Sequence, residues 1–339
     1  MSTYRPLGRT GVQVSNLCLG TMMFGAWGNQ DHEDSIRVIH AALDAGINFV
    51  DTADVYSAGE SEEIVGKAIR DRRDDVVLAT KFFMPMGEEP NMRGGSRRWI
   101  VRSVEDSLRR LSTDYIDLYQ VHRPEPGVDM DETLGALTDL VRQGKVRYIG
   151  SSSYSGAQIV EAQWTARKRN LERFRTEQPP YSLLVRGIEL DVLPTAQRHG
   201  MGILTYSPLS GGWLSGSWSK DSSPTSPARQ RLAKRFDMSL PENQRKLEAV
   251  EQLQQVADDA GLSLIELAIG FVINHPGVTA AIIGPRTMEQ LESQLPAANV
   301  LLDAAVLDRI DEIVKPGVTI NPADHSYGEE VLRPELLRR

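Results

Sequence analysis

The chain has 339 residues, 40% hydrophobic and 25% charged, a globular balance that excludes a disordered, collagen-like or repeat protein. A formal net charge of −8 argues against a nucleic-acid-binding surface and points to small-molecule partners. The beginning of the chain shows no basic segment followed by an apolar one, no apolar run reaches about 18 residues, and the single cysteine, Cys18, has no disulfide partner. No Cys/His cluster has metal-ligand spacing, and the expectation is a cytoplasmic protein without a membrane segment or a metal.

Tyr4 to Val14 reads as a short hairpin turning at Gly8-Arg9-Thr10-Gly11. A unit then repeats: a short apolar run, a polar loop, an amphipathic helix, a glycine and the next apolar run. The runs predicted as strands are Leu17 to Gly20, Phe49 to Asp51, Val76 to Thr80, Ile116 to His122, Tyr148 to Ser151, Phe174 to Glu177, Gly202 to Tyr206 and Thr279 to Ile283. Gly46, Gly144 and Gly200 close helices, where a left-handed conformation costs glycine little. Ser155-x-x-Gln158, Ser263-x-x-Glu266 and Thr287-x-x-Gln290 fit reciprocal capping boxes that open helices. Ile100, Val104, Leu108 and Leu111 form one apolar helical stripe, and Leu134, Leu137 and Val141 another.

Strands separated by helices pair in parallel through right-handed crossovers, and eight such units close into a barrel whose active site lies at the strands' C-terminal ends. The predicted architecture is an α/β (β/α)8 TIM barrel, with an N-terminal hairpin and a long loop after strand seven. One domain spans 1–339, with the barrel at 15–315 and a C-terminal tail at 316–339. Residues 207 to about 246 are rich in Ser, Pro, Gly and Arg, and two readings stay open there: a lid over a cofactor or a surface insertion. The tail either covers the mouth or lies on the surface. No heptads appear, so a homo-oligomer is neither indicated nor excluded.

Asp51 ends the second strand, Tyr56 follows five residues later, Lys81 ends the third strand and His122 the fourth. Singly, these residues have structural readings as a loop cap, a packed ring, a solvated amine and a core histidine. Together, in a parallel barrel, all four point into one mouth, where Lys81 between Asp51 and Tyr56 favours the phenolate and is expected to lower the phenol's pKa.

Phe49-Val50-Asp51-Thr52-Ala53-Asp54-Val55-Tyr56, Gly59-Glu60-Ser61-Glu62, Ala79-Thr80-Lys81 and Val121-His122 resemble the signatures of the aldo-keto reductase superfamily, from Leu7 to roughly Val314. The resemblance implies Tyr56 as proton donor, Asp51 and Lys81 as its tuners and His122 as the group that orients a carbonyl. It also implies NADPH/NADP+ as cofactor, bound by Gly20, Thr21 and Met22, by Asp51, by Ser152 and Gln178 on the nicotinamide carboxamide, and by Ser153 where the family has asparagine. Tyr206 would stack on the nicotinamide, followed by Ser207, Pro208, Leu209, Gly211 and Gly212. Gly284, Arg286, Gln290 and Gln294 would grip the adenosine 2′-phosphate and adenine. Chemistry agrees at Arg286, since a helix start plus a bidentate cation suits a phosphate. Gln290 divides between adenine ligand and capping box, and Gln294 stands where the family usually has asparagine.

The implied activity is reduction of an aldehyde or ketone to an alcohol. The loop after Tyr206 and the run Arg93-Gly94-Gly95-Ser96-Arg97-Arg98 resemble the branch that holds bacterial reductases and voltage-gated potassium channel β subunits. The alternative is therefore an NADPH-binding interaction subunit with little turnover. In the channel subunits an asparagine replaces the histidine, so His122 favours an enzyme. Trp27, Phe82, Phe83 and Met84 are either an apolar pocket or loop packing, and Arg123 either recognises an acidic substrate or is solvated or ion-paired. Substrate identity and physiological direction are left open.

Overall fold

A computed structural model describes residues 3–216, 218 and 233–325. The hairpin is present as β1 (Tyr4–Pro6) and β2 (Gln13–Ser15), paired antiparallel. The barrel strands are β3 (Leu17–Gly20), β4 (Phe49–Asp51), β5 (Val77–Phe82), β6 (Ile116–Val121), β7 (Val146–Ser152), β8 (Thr176–Gln178), β9 (Gly202–Thr205) and β10 (Ala280–Ile283). Each pairs in parallel with its neighbours in chain order, and β10 returns to β3 to close the barrel. Closure leaves no strand edge open.

The outer ring contains α1 (His32–Asp44), α2 (Glu60–Ile69), α3 (Arg97–Leu111), α4 (Met130–Arg142), α5 (Gly156–Arg169), α6 (Val192–His199), α7 (Pro241–Asp259), α8 (Leu264–Asn274), α9 (Met288–Gln294) and α10 (Ala304–Ile313). Both predicted stripes face the strands: Ile100, Val104, Leu108 and Leu111 are buried on α3, as are Leu134 and Leu137 on α4. Ser155 and Ser263 make complete capping boxes, each cap worth about 1 kcal/mol. The third expected box is only half made. Thr287 accepts the Gln290 amide at 3.3 Å, but Gln290 Oε1 accepts the Arg286 N–H at 2.8 Å instead of reaching its own cap residue.

Strand bounds differ from expectation at β7, which begins at Val146, and at β8, which is Thr176–Gln178 rather than Phe174 to Glu177. Hydrogen bonding to neighbouring strands sets these ends, and apolar content does not reveal it. The loop after β9 is structured on both flanks. It starts with a 3-10 turn, Ser210–Ser215, and α7 starts at Pro241, where proline suits the first helical turn. Trp213 lies 4.5 Å from Trp218 and 6.2 Å from Phe236 between ring centroids. Lys246 sits 4.4 Å over Trp213 and pairs with Asp324 at 2.7 Å. The readings of the loop at 207–246 and of the tail at 316–339 fall partly on residues 217, 219–232 and 326–339, which lie outside the described residues.

Strand periodicity positions the candidate site. Successive side chains on a strand alternate between barrel interior and helix layer. Cys18, Phe49, Ala79, Leu118, Leu204, Ala280 and Ile282 pack with one another inside the barrel, joined by Leu7 and Val14 of the hairpin, which plugs the N-terminal end. Gly8 permits that plug: at φ 56° its added Cβ would lie 2.7 Å from the Gly202 nitrogen. Two residues beyond these interior positions stand Gly20, Asp51, Lys81, Gln120, Tyr206 and Gly284, and His122 follows Gln120 at the same spacing. On β7 and β8, Ser152 and Gln178 have the inward parity of Tyr148 and Thr176. All eight barrel strands thus bring a candidate residue to the C-terminal end.

Candidate active site

Asp51 and Lys81 form a buried ion pair, Nζ to Oδ1 at 2.5 Å. The ammonium also donates to the Thr52 carbonyl at 2.8 Å and to the Tyr56 hydroxyl at 3.4 Å. Asp51 Oδ2 accepts from Gln178 Nε2 at 2.9 Å and from Gln120 Nε2 at 3.2 Å. Every charge of the pair is therefore hydrogen-bonded, which a buried ion pair requires to offset its desolvation. Burial lowers the Lys81 pKa, but Asp51 and Tyr56 outweigh it, and the net shift is upward. Lys81 is held as an ammonium.

Burial raises the Tyr56 pKa, and the opposing pull of Lys81 does not cancel it. The expected net lowering is therefore corrected: Lys81 acts in that direction, yet desolvation of a phenolate in this mouth is the larger effect. His122 stands edge-on to Tyr56, ring centroids 5.9 Å apart. Its pKa falls well below the ordinary value through burial, with Lys81 and Arg123 adding to the shift. The imidazole is neutral at neutral pH, and its Nδ1 is buried without a hydrogen-bond partner among the described residues.

The chain presents Tyr56 on a left-handed turn, with φ 50° at Ser57, 57° at Ala58 and 99° at Gly59. For Ser57 and Ala58 this costs on the order of 1–2 kcal/mol each. Local bonds offset it: Ser57 Oγ donates to the Phe24 carbonyl at 3.2 Å and accepts the Trp27 N–H at 3.1 Å, while Glu60 accepts the Ala26 N–H at 2.7 Å. The Trp27 ring is thereby held 6.0 Å from Tyr56. Of the four apolar candidates, Trp27 borders the tetrad. Phe82 is fully buried and stacks on Tyr119 at 4.9 Å, so it is core packing. Phe83 and Met84 are partly buried.

Around this centre the remaining predicted residues fall into three groups. Ser152, Ser153 and Gln178 are buried together: Ser152 Oγ donates to the Gln178 carbonyl at 2.9 Å, and Ser153 Oγ lies 3.4 Å from the Tyr206 hydroxyl. Tyr206 leads into Ser207, Pro208, Leu209, Gly211 and Gly212, a tight turn with positive φ at Ser207 and both glycines. Gly20, Thr21 and Met22 end β3. An added Cβ at Gly20 would meet Ile282 at 2.6 Å, so barrel packing alone demands glycine there. Thr21 Oγ1 donates to the Asp51 carbonyl at 3.2 Å and lies 2.9 Å from Ser61 Oγ, whereas Met22 is 44% exposed.

In the third group, a Cβ on Gly284 would meet nothing within 4 Å. Arg286 is exposed, its carbonyl held by Asn29 Nδ2 at 3.1 Å. Gln290 has spent Oε1 on the Arg286 amide, which leaves its Nε2 as the group able to reach a ligand. Gln294 is buried in α9.

Sequence profiles decide the family. The profile of the Aldo/keto reductase family matches residues 16–315. The chain is 42% identical over 321 residues to the uncharacterized oxidoreductase YrpG of Bacillus subtilis, covering 91% of this chain and 95% of that protein. It is 39% identical over 295 residues to the aldo-keto reductase YhdN of the same organism, covering 86% and 87%. A probable voltage-gated potassium channel subunit beta of Arabidopsis thaliana is 36% identical over 324 residues, covering 92% and 96%. The chain belongs to the aldo/keto reductase family.

For this aldo/keto reductase, an oxidoreductase by family, two buried groups, Gln120 and Glu177, escaped the sequence reading, as did one contact of Arg123. Gln120 bonds Asp51 and has the inward parity of His122, so a polar residue at an interior strand position was the available signal. Glu177 faces the helix layer, accepts from Ser151 Oγ at 2.5 Å and from the Tyr154 N–H at 3.0 Å, and its pKa is raised to about 8 by burial. It holds the turn that carries Ser153, which has φ 62°; its neighbour Gln178 masked it. Arg123 donates to Ser153 Oγ, a contact between residues 30 apart in the chain that no local pattern indicates.

Proposed function

We propose that this protein is an NADPH-dependent reductase that converts an aldehyde or ketone to an alcohol, with Tyr56 as proton donor. The observation that carries the reading is the Asp51–Lys81–Tyr56–His122 constellation in one barrel mouth, bordered by Trp27. The polar groups suit the cofactor: Ser152, Ser153 and Gln178 offer carboxamide partners beside Asp51, the open space at Gly284 admits a bulky group, and Arg286 offers an exposed cation to a 2′-phosphate.

The bound cofactor supplies the hydride to the carbonyl carbon. The chain does the rest. Tyr56, kept protonated through neutral pH by its raised pKa, gives its proton to the carbonyl oxygen, so that one C–H and one O–H bond form as the carbonyl is reduced by two electrons. Lys81, held charged by Asp51, stabilises the phenolate that remains. Neutral His122, whose buried Nδ1 has no acceptor among the described residues, would carry its proton on Nε2 and donate it to the carbonyl oxygen. A general acid placed in this way contributes about 10² to 10⁴ in rate, and the fixed ammonium adds preorganised charge stabilisation.

The relatives named as potassium channel β subunits support a second reading, an NADPH-binding subunit with little turnover. NADPH oxidation across a panel of aldehydes and ketones separates the two. Turnover that disappears in Tyr56→Phe supports the reductase, whereas tight NADPH binding without oxidation by any carbonyl supports the binding subunit.

A further inference from the structure

Arg123 directly follows His122 at the end of β6, and its contacts differ from those of an ordinary surface arginine. Nη1 donates to Ser153 Oγ and to the His122 carbonyl at 3.2 Å. Ser153 Oγ in turn lies 3.4 Å from the Tyr206 hydroxyl. The guanidinium is therefore anchored at one corner, partly buried, on the rim of the mouth that holds the tetrad.

Among the described residues no carboxylate forms an ion pair with it. The charges nearby are already accounted for. Lys81 and Asp51 neutralise each other at 2.5 Å, and His122 is neutral. Glu177 feels the Arg123 charge from beyond ion-pair distance, but it points into the helix layer, where Ser151 and Tyr154 take its oxygens and burial raises its pKa to about 8. Glu125, the other acid close in sequence, accepts the Gly95 N–H at 2.5 Å. A guanidinium stays charged and offers five donors in a planar fork. Here the mouth keeps one positive charge without an ion-pair partner among the described residues, with donors to spare, next to the group that would orient a carbonyl.

A neutral nicotinamide carboxamide would leave that charge unbalanced, and Ser152 and Gln178 already stand ready for it. One cation, with Lys81 unavailable, matches a monoanion. We propose that Arg123 is the anion-binding group of the substrate pocket, and that this mouth selects aldehydes or ketones carrying a carboxylate a few bonds from the carbonyl. The inference rests on the reductase reading and narrows its substrate class.

The test compares 4-carboxybenzaldehyde with its methyl ester, two aldehydes of similar shape that differ in one charge, using the full chain with NADPH. The parent protein should show the higher kcat/KM for the acid. In Arg123→Met the acid should lose roughly 10- to 100-fold more kcat/KM than the ester, as expected for a charged hydrogen bond. Most of that loss should fall in KM, and Arg123→Lys should recover part of it. Benzoate should inhibit the parent competitively and Arg123→Met at least tenfold more weakly.

Equal losses for acid and ester, accompanied by weaker NADPH binding in a fluorescence titration, would overturn the proposal and assign Arg123 to the cofactor through Ser153. An absence of preference in the parent would overturn it as well. If no aldehyde in a broad panel oxidises NADPH, the reductase reading itself falls, and this inference with it.

Discussion

Replacing Tyr56 by phenylalanine separates chemistry from structure because the hydroxyl carries so little of the fold. Among the described residues it receives one long hydrogen bond, 3.4 Å from Lys81 Nζ, and Lys81 keeps Asp51 at 2.5 Å and the Thr52 carbonyl at 2.8 Å without it. No buried charge is orphaned, so the loss of stability should stay below about 1 kcal/mol. The ring itself remains between Trp27 and His122. By contrast, removing the general acid should slow carbonyl reduction by about 10² to 10⁴, on the order of 3–5 kcal/mol of barrier. Steady-state NADPH oxidation, NADPH fluorescence titration and urea unfolding should together show lost turnover, retained cofactor binding and an unchanged midpoint. Turnover within tenfold of the parent would refute the assignment of Tyr56 as acid. A large drop in stability would show that the hydroxyl is structural.

Lys81→Met should behave oppositely, leaving the Asp51 carboxylate buried with the amide donors of Gln120 and Gln178, and should cost about 3–5 kcal/mol in urea unfolding as well as turnover. Stability equal to the parent would refute the cost assigned to breaking this buried pair. Arg286→Ala should weaken NADPH far more than NADH in fluorescence titrations, since it removes only a phosphate contact; equal weakening would assign Arg286 elsewhere. Asp54 is fully buried, and burial, reinforced by Glu62, raises its pKa to about 8. The unfolded chain gives up this proton near pH 4 while the fold keeps it, so between roughly pH 4 and 8 stability falls as pH rises, with a slope of about 1.4 kcal/mol per unit from this group. Asp54→Asn should remove that slope in urea unfolding measured from pH 5 to 8, and an unchanged slope would place the proton elsewhere.

Much of the fold was legible because it rests on local rules. Strands such as Phe49–Asp51 and Ala280–Ile283 announce themselves by short apolar runs between helices, and Ser155 and Ser263 mark helix starts by bonds made within four residues. The tetrad residues could be named because each closes or follows such a run. Gln120 was missed because a lone glutamine inside a strand has no meaning until the neighbouring strand brings Asp51 to it. Thr287-x-x-Gln290 misled in detail, since Gln290 Oε1 had a second local donor within reach, the Arg286 N–H.

Taken alone, the sequence determined the βα rhythm, the inward parity of each strand and thus which residues arrive at the barrel's C-terminal end. Only the tertiary structure decided what they do to one another there. Asp51 meets Gln178 across 127 positions of chain, and Arg123 meets Ser153, because barrel closure sets strand ends side by side. The balance at Tyr56 was decided in the same way. Lys81 pulls the phenol's pKa down as its chemistry dictates, but the depth of the mouth, a property of the packed barrel, pushes it further up. Local patterns encode the direction of a side chain, whereas desolvation depends on everything folded around it.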